Sequence, residues 1–110
     1  MQRRFREGVC FVDQFHVPGA SSDEFKRQLN RTRGFLAILS GYIRGAVLEA
    51  ACDDGGLTIM TIAVWQNRQK LHEAKQSVQA EYRRTGFDPN TFYARLNVTL
   101  QRRQYQNIDR

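Results

Sequence analysis

Asp13 is the residue of this 110-residue chain whose surroundings point most directly to chemistry. In the run VCFVDQFHV, residues 9–17, side chains alternate between two faces, so Asp13 shares a face with Phe11 and Phe15. A carboxylate between two inward-facing phenylalanines must find a hydrogen-bond partner or take up a proton. Beside a bound phenol or hydroquinone, it could accept a proton and form the electron-rich anion that reacts with molecular oxygen. The alternative is a structural aspartate bonded to a backbone N–H or to an arginine.

A second group of candidate residues surrounds Trp65, at the end of the run LTIMTIAVW. Trp65 shares a strand face with Thr61. If this face and that of Asp13 both meet the helices, Asp13, Thr61 and Trp65 converge on a cavity between sheet and helices. His72 and Tyr82 of the following helix would complete an apolar pocket with few polar groups. The alternative is a core tryptophan, an ordinary strand threonine and an exposed His72.

The first half of the chain predicts a strand followed by a helix. Pro18 ends the strand over residues 9–17, and Ser21 and Glu24 fit a capping box that would begin the helix. The helix carries one apolar stripe at spacings of three and four residues. The stripe consists of Phe25, Leu29, Thr32, Leu36 and Leu39.

The second half predicts a hairpin, a helix and a last strand. Strands over 42–52 and 57–65 are joined by the turn sequence Asp-Asp-Gly-Gly. Asn67 caps the second helix and Gly86 ends it, the segment FDPN turns the chain, and 94–101 alternates as a strand. The fold class is therefore α+β: a ferredoxin-like βαββαβ domain with a four-stranded antiparallel sheet and two helices on one face.

The third strand is apolar on both faces, and this predicts a homodimer. A chain of this length has helices for one face of its sheet. An apolar second face implies a partner surface, most simply another copy of the chain. The second face of this strand carries Thr58, Met60, Ile62 and Val64.

Composition indicates an ordinary soluble domain, since hydrophobic residues make up 41% and charged residues 25%. We expect a basic tail over 1–8, one domain over 9–102 and a second tail over 103–110. Neither a membrane-spanning segment nor a secretory signal is recognisable, so we expect a cytoplasmic protein with no membrane partner. The net charge of +6 lies largely in the tails and on polar helix faces, so we expect no nucleic-acid partner.

No motif supports metal, nucleotide or hydrolase chemistry. Cys10 and Cys52 lack metal-ligand spacing, so we interpret them as buried thiols and expect no metal site. His16, near the end of the first strand and on its opposite face, is expected at the dimer surface or in solvent. A nucleophile elbow and a phosphate-binding glycine loop are both missing. These absences favour cofactor-free chemistry or plain ligand binding.

Three segments resemble the antibiotic-biosynthesis-monooxygenase (ABM) superfamily over nearly the whole chain. FHVPG is followed by DEF at the first helix, Ser40-Gly41-Tyr42 is similar to the family's Pro-Gly-Phe, and IAVWQNRQKL is similar to its strand-to-helix segment. The resemblance implies a dimeric α+β barrel. Family members include cofactor-independent monooxygenases acting on aromatic phenols and quinols, haem-degrading enzymes and proteins with no oxygenase role.

The resemblance also assigns residues. In the polyketide oxygenases, the tryptophan matching Trp65 lines the pocket with an asparagine and a tyrosine, where this chain has Thr61 and Leu71. In the haem-degrading branch, the first strand carries an asparagine at the position of Asp13, whereas His72 lies too near the helix start to match the haem ligand.

The leading hypothesis is a cofactor-independent monooxygenase for an aromatic phenol or quinol, with Asp13 and Trp65 catalytic. The expected substrate-binding residues are Thr61, Phe15, Phe11, His72, Leu71 and Tyr82. The alternative is a non-catalytic dimeric module that binds a small molecule or haem, which an internal ion pair of Asp13 would favour. Nucleic-acid binding through the basic tails is a third possibility.

Overall fold

The computed structural model describes residues 8–108 as a four-stranded antiparallel sheet with three α-helices. Residues 1–7 and 109–110, which belong to the expected tails, lie outside the described residues. The predicted ferredoxin-like α+β class is confirmed, with one helix more than expected. The elements in chain order are β1 Val9–Val17, a 3₁₀ turn Gly19–Ser21, α1 Ser22–Leu36, β2 Tyr42–Ala51, β3 Leu57–Trp65, α2 Arg68–Thr85, α3 Pro89–Leu96 and β4 Thr99–Gln106.

The sheet has the strand order β2-β3-β1-β4, so β1 lies at its centre. Asp13 of β1 is paired in register with Thr61 of β3 and with Arg102 of β4. Because side chains alternate along each strand, these three residues share one face of the sheet. We call this helix-covered side the inner face, and the opposite side the outer face.

The start of α1 differs from the predicted capping box. Ser21 makes no side-chain bond to the helix start; its hydroxyl donates to the carbonyl oxygen of Leu96 at 2.9 Å. Glu24 instead pairs with Arg95 of α3. Both residues therefore join α1 to α3, because a third helix that the prediction lacked offers them partners.

The predicted last strand over 94–101 is wrong at its start. Residues 89–96 form α3, whose first turn is capped by Asp88: its carboxylate accepts bonds from the Asn90 N–H at 3.2 Å and the Thr91 hydroxyl at 2.7 Å. Proline at the first helical position favours this helix further. β4 runs from Thr99 to Gln106, so sheet residues lie beyond the expected domain boundary at 102.

Local signals predicted the hairpin and α2 correctly. The β2–β3 hairpin closes through Gly55, which has a φ of +85°. The side chain of Asn67 accepts a bond from the Lys70 N–H at 2.8 Å, and Gly86, with a φ of +74°, ends α2. These contacts are the helix start and stop that Asn67 and Gly86 predict.

Gly41 allows the chain before β2 to approach α2 closely. Its φ is +88°, and a Cβ added there would lie 2.3 Å from the Cβ of Lys70. Its carbonyl oxygen accepts a bond from the Gln66 N–H at 2.8 Å. The Tyr42 ring then packs edge-on against Trp65, with centroids 5.4 Å apart. The Ser40-Gly41-Tyr42 segment therefore helps to position Trp65.

Two clusters of buried apolar residues lie on the inner face. The Phe15 cluster consists of Phe15, Val17, Phe25, Ile59, Leu96 and Val98. The Trp65 cluster consists of Val9, Trp65, Leu71 and Ala74. The helices α1 and α3 contribute to the first and α2 to the second, so all three cover the inner face. Among the described residues, every helix is too short or too polar to cross a lipid bilayer.

Candidate functional site

A cavity of about 410 Å³ lies between the inner face of the sheet and the helices. This volume is within the range of small-molecule sites. The cavity brings together all but one of the residues predicted from the sequence. They are Phe11, Asp13, Phe15, Thr61, Trp65, Leu71 and Tyr82.

His72 is the exception, and its predicted place in the pocket is wrong. It is exposed on α2 and does not line the cavity. Its neighbour Leu71 is buried and lines the cavity. Because successive helical residues point about 100° apart, a helix that buries Leu71 turns His72 away.

Asp13 forms a two-pronged ion pair with Arg102 inside the cavity. The Arg102 Nε donates to Asp13 Oδ1 at 2.7 Å, and its Nη2 donates to Oδ2 at 2.9 Å. The Asp13 side chain is 12% exposed and that of Arg102 is 51% exposed. The hydrogen bond to Asp13 raises the pKa of Arg102 above its ordinary value. Of the partners expected for a structural Asp13, a backbone N–H or an arginine, the structure has the arginine.

Trp65 presents a buried donor without an acceptor. The residue is 1% exposed, and its indole N–H has no hydrogen-bond partner among the described residues. A buried unpaired donor is costly, and a bound ligand is one way in which such a group is satisfied. An acceptor oxygen of a ligand in the cavity would meet this need.

Two tyrosines add polar groups to the cavity wall. The hydroxyl of Tyr82 lies 3.5 Å from that of Thr32. Tyr93 of α3 also lines the cavity, and burial raises its pKa to about 12. Tyr93 therefore keeps its proton at neutral pH and can donate a hydrogen bond there. It was missed because residues 91–93, between the predicted turn FDPN and the predicted strand over 94–101, were assigned to no element.

Positive charge prevails at the cavity. Among the described lining residues, Arg33, Lys75 and Arg102 are cationic, and Asp13 is the single anion. Two of these cations lie over the Phe11 ring, with Lys75 Nζ 4.9 Å and Arg102 Cζ 5.0 Å from its centroid. Such a site favours ligands that carry or develop negative charge.

The described lining offers little to a metal ion or a haem iron. Asp13 is its one carboxylate, and both of that residue's oxygens already bond Arg102. Among the described lining residues, histidine, cysteine and methionine do not occur, and tyrosine is the one residue type there that can ligate haem iron. The residues therefore fit an organic ligand better than a metal centre.

Comparison with known proteins finds a cofactor-independent oxygenase among the solved structures that share this architecture. No protein-family model matches the chain, and no curated protein matches it significantly. Solved structures do. SnoaB, a cofactor-independent oxygenase from Streptomyces nogalater, is 26% identical, with 94% of this chain and 96% of SnoaB covered and a TM-score of 0.68. A variant of SnoaB gives a TM-score of 0.70.

Another solved structure agrees in fold at lower identity. A candidate antibiotic biosynthesis monooxygenase from Nitrosomonas europaea is 13% identical, with 93% of this chain and 91% of that one covered and a TM-score of 0.66. Together with SnoaB, it confirms the predicted resemblance to the ABM superfamily. A designed protein, Foldit4, also matches, at 9% identity and a TM-score of 0.59, so the fold by itself assigns no activity.

Proposed function

We propose, from the architecture that this chain shares with the ABM superfamily, that it is a cofactor-independent monooxygenase acting on an aromatic phenol or quinol. The neighbours among solved structures support an oxygenase in general terms. The observation that carries the proposal is the cavity itself, which holds the Asp13–Arg102 ion pair among aromatic residues and is lined by Trp65, whose buried indole N–H has no partner among the described residues. A flat aromatic molecule with oxygen substituents matches both the walls and the polar groups.

In the proposed reaction, Asp13 takes a proton from the substrate. A carboxylate has about four lone-pair sites and Arg102 uses two of them, so acceptor capacity remains. The guanidinium stays beside the substrate anion as it forms and stabilises its charge. Trp65 donates its indole N–H to a substrate oxygen and holds the ring in the cavity.

The electron-rich anion then reacts with molecular oxygen, which serves as the oxidant. One electron passes to O₂, and the two radicals combine to form a C–O bond. Breaking the O–O bond and losing a proton from the same carbon gives a carbonyl, while the second oxygen atom leaves as water. An anthrone would thus consume one O₂ and give one anthraquinone and one water.

The test is oxygen consumption with a panel of hydroquinones and anthrones, without added metal or flavin. We expect Asp13→Asn to lower turnover at least about 100-fold, the scale of a lost general base, while ligand binding persists. Trp65→Phe should lower kcat/KM about tenfold or more, since it removes a donor to the developing anion. Asp23→Asn, which changes an exposed carboxylate on α1, is the matched control.

A folded Asp13→Asn variant with wild-type turnover would contradict the proposed role of Asp13. Absence of turnover in the wild type, together with saturable binding of an aromatic phenol, would support the second candidate function. That candidate is a binding module without catalysis. The observation that favours it is the ion pair, in which Arg102 engages both oxygens of Asp13.

We also propose that the working form is a homodimer joined through the outer face of the sheet. Both buried clusters lie on the inner face, so the helices leave the outer face without a covering layer. By strand alternation, the outer face carries Met60, Ile62 and Val64 of β3 and Leu48 of β2, which is 54% exposed. An uncovered apolar sheet face favours burial against a second copy.

Sedimentation tests the dimer. We expect two chains per particle for the wild type and one for Leu48→Lys, because a buried lysine would lack a partner. Ile38→Lys is the control, since Ile38 is 80% exposed and lies beyond the end of α1, outside the strands of the sheet. A monomeric wild type would contradict the proposal.

A further inference from the structure

A second group of reactive side chains lies outside the cavity, where the β2–β3 hairpin meets the end of β1. It consists of His16, Cys52 and Asp54, whose donor atoms all lie within 4.8 Å of one another. His16 Nε2 is 3.1 Å from Asp54 Oδ2. Because 38 residues separate His16 from Asp54, sequence spacing could not reveal the cluster.

The hairpin turn holds two of these residues in place. The Cys52 N–H donates to the carbonyl oxygen of Gly56 at 2.9 Å, and the Gly55 N–H donates to that of Cys52 at 3.1 Å. The Gly56 N–H donates to Asp54 Oδ1 at 2.9 Å, which leaves Oδ2 directed at His16. Hydrogen bonds within the turn therefore fix its conformation, and they leave the Asp54 carboxylate facing His16 of β1.

Gly56 is the residue that lets the hairpin come this close to β1. A Cβ added at Gly56 would lie 2.8 Å from the carbonyl oxygen of Val17 and 3.3 Å from His16 Nε2. The adjoining loop is equally tight, since a Cβ at Gly19 would lie 2.7 Å from the carbonyl oxygen of Gly55. A side chain at position 56 would therefore force the hairpin or the end of β1 to shift.

We propose that His16, Cys52 and Asp54 bind one zinc-type divalent cation per chain, with water in the remaining position. Imidazole nitrogen, thiolate sulfur and carboxylate oxygen are the three donor types that Zn²⁺ takes in proteins. With zinc bonds of about 2.0–2.3 Å, neighbouring donors in a tetrahedron lie roughly 3.3–3.7 Å apart. The His16–Asp54 pair is already near that spacing, and a sulfur within 4.8 Å needs a shift of about 1 Å.

In the single chain, the exposure of the cluster suits a cation that enters from solvent, and a second copy packed on the outer face would restrict that entry at His16. The His16 side chain is 41% exposed and that of Asp54 is 62% exposed, so both can adjust, and water can occupy the open position. Cys52 Sγ lies 3.3 Å from the Thr58 hydroxyl, which can remain as a donor to the bound thiolate. On binding, the Cys52 thiol releases its proton to solvent and forms the metal–sulfur bond.

Nitrogen and sulfur donors favour Zn²⁺ over Mg²⁺ and Ca²⁺, which prefer oxygen ligands. Strand alternation places His16 on the outer face and Asp13 on the inner face, so the two sites are separate. The cation site consequently stands or falls independently of the proposed oxygenase activity.

The experiment is a titration of the untagged full-length chain with Zn²⁺ against a chromophoric chelator, in the presence of a reductant. Co²⁺ serves as a spectroscopic probe, because cobalt bound to a thiolate gives a sulfur-to-metal charge-transfer band in the near ultraviolet. We expect one equivalent of Zn²⁺ in the wild type and at least a tenfold loss of affinity in Cys52→Ser and in His16→Gln. Cys10→Ser, at the other described cysteine, is the matched control and should bind as the wild type does.

Less than one equivalent of Zn²⁺ bound by the wild type would overturn the proposal. So would unchanged affinity in Cys52→Ser, or an equal loss in Cys10→Ser. Should Cys52→Ser fail to fold, Asp54→Asn replaces it, since that side chain is exposed and the substitution keeps its size. A cobalt complex of the wild type without the charge-transfer band would also overturn the assignment of Cys52 as a ligand.

Discussion

The Phe15 cluster and the Trp65 cluster lie on the same sheet face but differ in what covers them. Around Phe15, α1 and α3 both contribute fully buried residues, and the Phe15 and Phe25 rings pack edge-on with centroids 4.8 Å apart. Around Trp65, α2 contributes Leu71 and Ala74, and the space beside them stays open as the cavity. The contrast shows how one layer of helices serves two purposes: α1 and α3 close the core around Ile59 and Val98, whereas residues of all three helices, including Tyr93 of α3, surround a cavity that leaves room for a ligand.

The largest expected difference in stability between the two clusters is that between the variants Ile59→Ala and Leu36→Ala. Ile59 is 1% exposed within the Phe15 cluster, and its truncation should lower the free energy of unfolding by about 2–5 kcal/mol. Leu36 is half-buried and borders the cavity, so its truncation should cost less, roughly 1–2 kcal/mol. Urea denaturation at neutral pH measures both. Equal losses would contradict the distinction between a closed and an open cluster.

Replacing a small side chain by a larger one should also affect the Phe15 cluster more than the wall of the cavity. Val98→Phe overpacks the Phe15 cluster and should cost about 1–3 kcal/mol of stability. Val78→Phe adds the same volume beside the cavity, so it should cost under about 1 kcal/mol while blocking the binding of an aromatic ligand. Thermal unfolding and ligand titration report the two effects. Unimpaired binding in Val78→Phe would place the ligand elsewhere.

The smallest expected effect is a loss of stability at high pH that depends on Tyr93. This residue packs against the Phe15 cluster and also lines the cavity. Its pKa rises to about 12 in the folded chain because it is buried, whereas an unfolded tyrosine has a pKa near 10. The folded state thus holds the proton more tightly, and stability present below pH 10 is lost as pH rises towards 12. At pH 11, this loss is about 1.4 kcal/mol.

Urea denaturation at pH 8 and pH 11 tests the assignment, with Tyr93→Phe beside the wild type. The variant should lose less stability between the two pH values, and Tyr105→Phe, at a more exposed tyrosine, should follow the wild type. An identical pH dependence in all three proteins would mean that Tyr93 does not titrate as described.

Strong local signals explain which elements could be predicted from the sequence. The alternation over Val9–Val17, the Asp-Asp-Gly-Gly turn and the stop at Gly86 each depend on residues close together in the chain. The helix α3 was missed because the alternating Leu96, Val98 and Leu100 suggested one strand. In the structure, Leu96 is the last residue of α3, and the strand begins only at Thr99. Proline after Asp88 was the signal that would have indicated the helix.

The candidate site was predictable only in part, because some of its residues come from segments that are far apart in the chain. Asp13, Thr61 and Trp65 follow from strand parity, which fixes their shared face. Arg102 was missed because it lies 89 residues from Asp13 and the last strand was predicted to end at 101. Tyr93 was missed because it belongs to α3. Contacts between distant segments depend on register and on packing, and local patterns do not report these.

The position of β4 at the edge of the sheet gives Arg102 a second effect. An edge strand presents backbone N–H and C=O groups that can pair with a strand of another molecule and begin aggregation. β4, with the sequence TLQRRQYQ, carries two adjacent arginines on opposite faces. Their charge repels a second copy of the same edge. The residue that holds Asp13 in the cavity therefore also lies on the strand that is open to pairing with another chain, so a substitution at position 102 would act on the pocket and on this edge together.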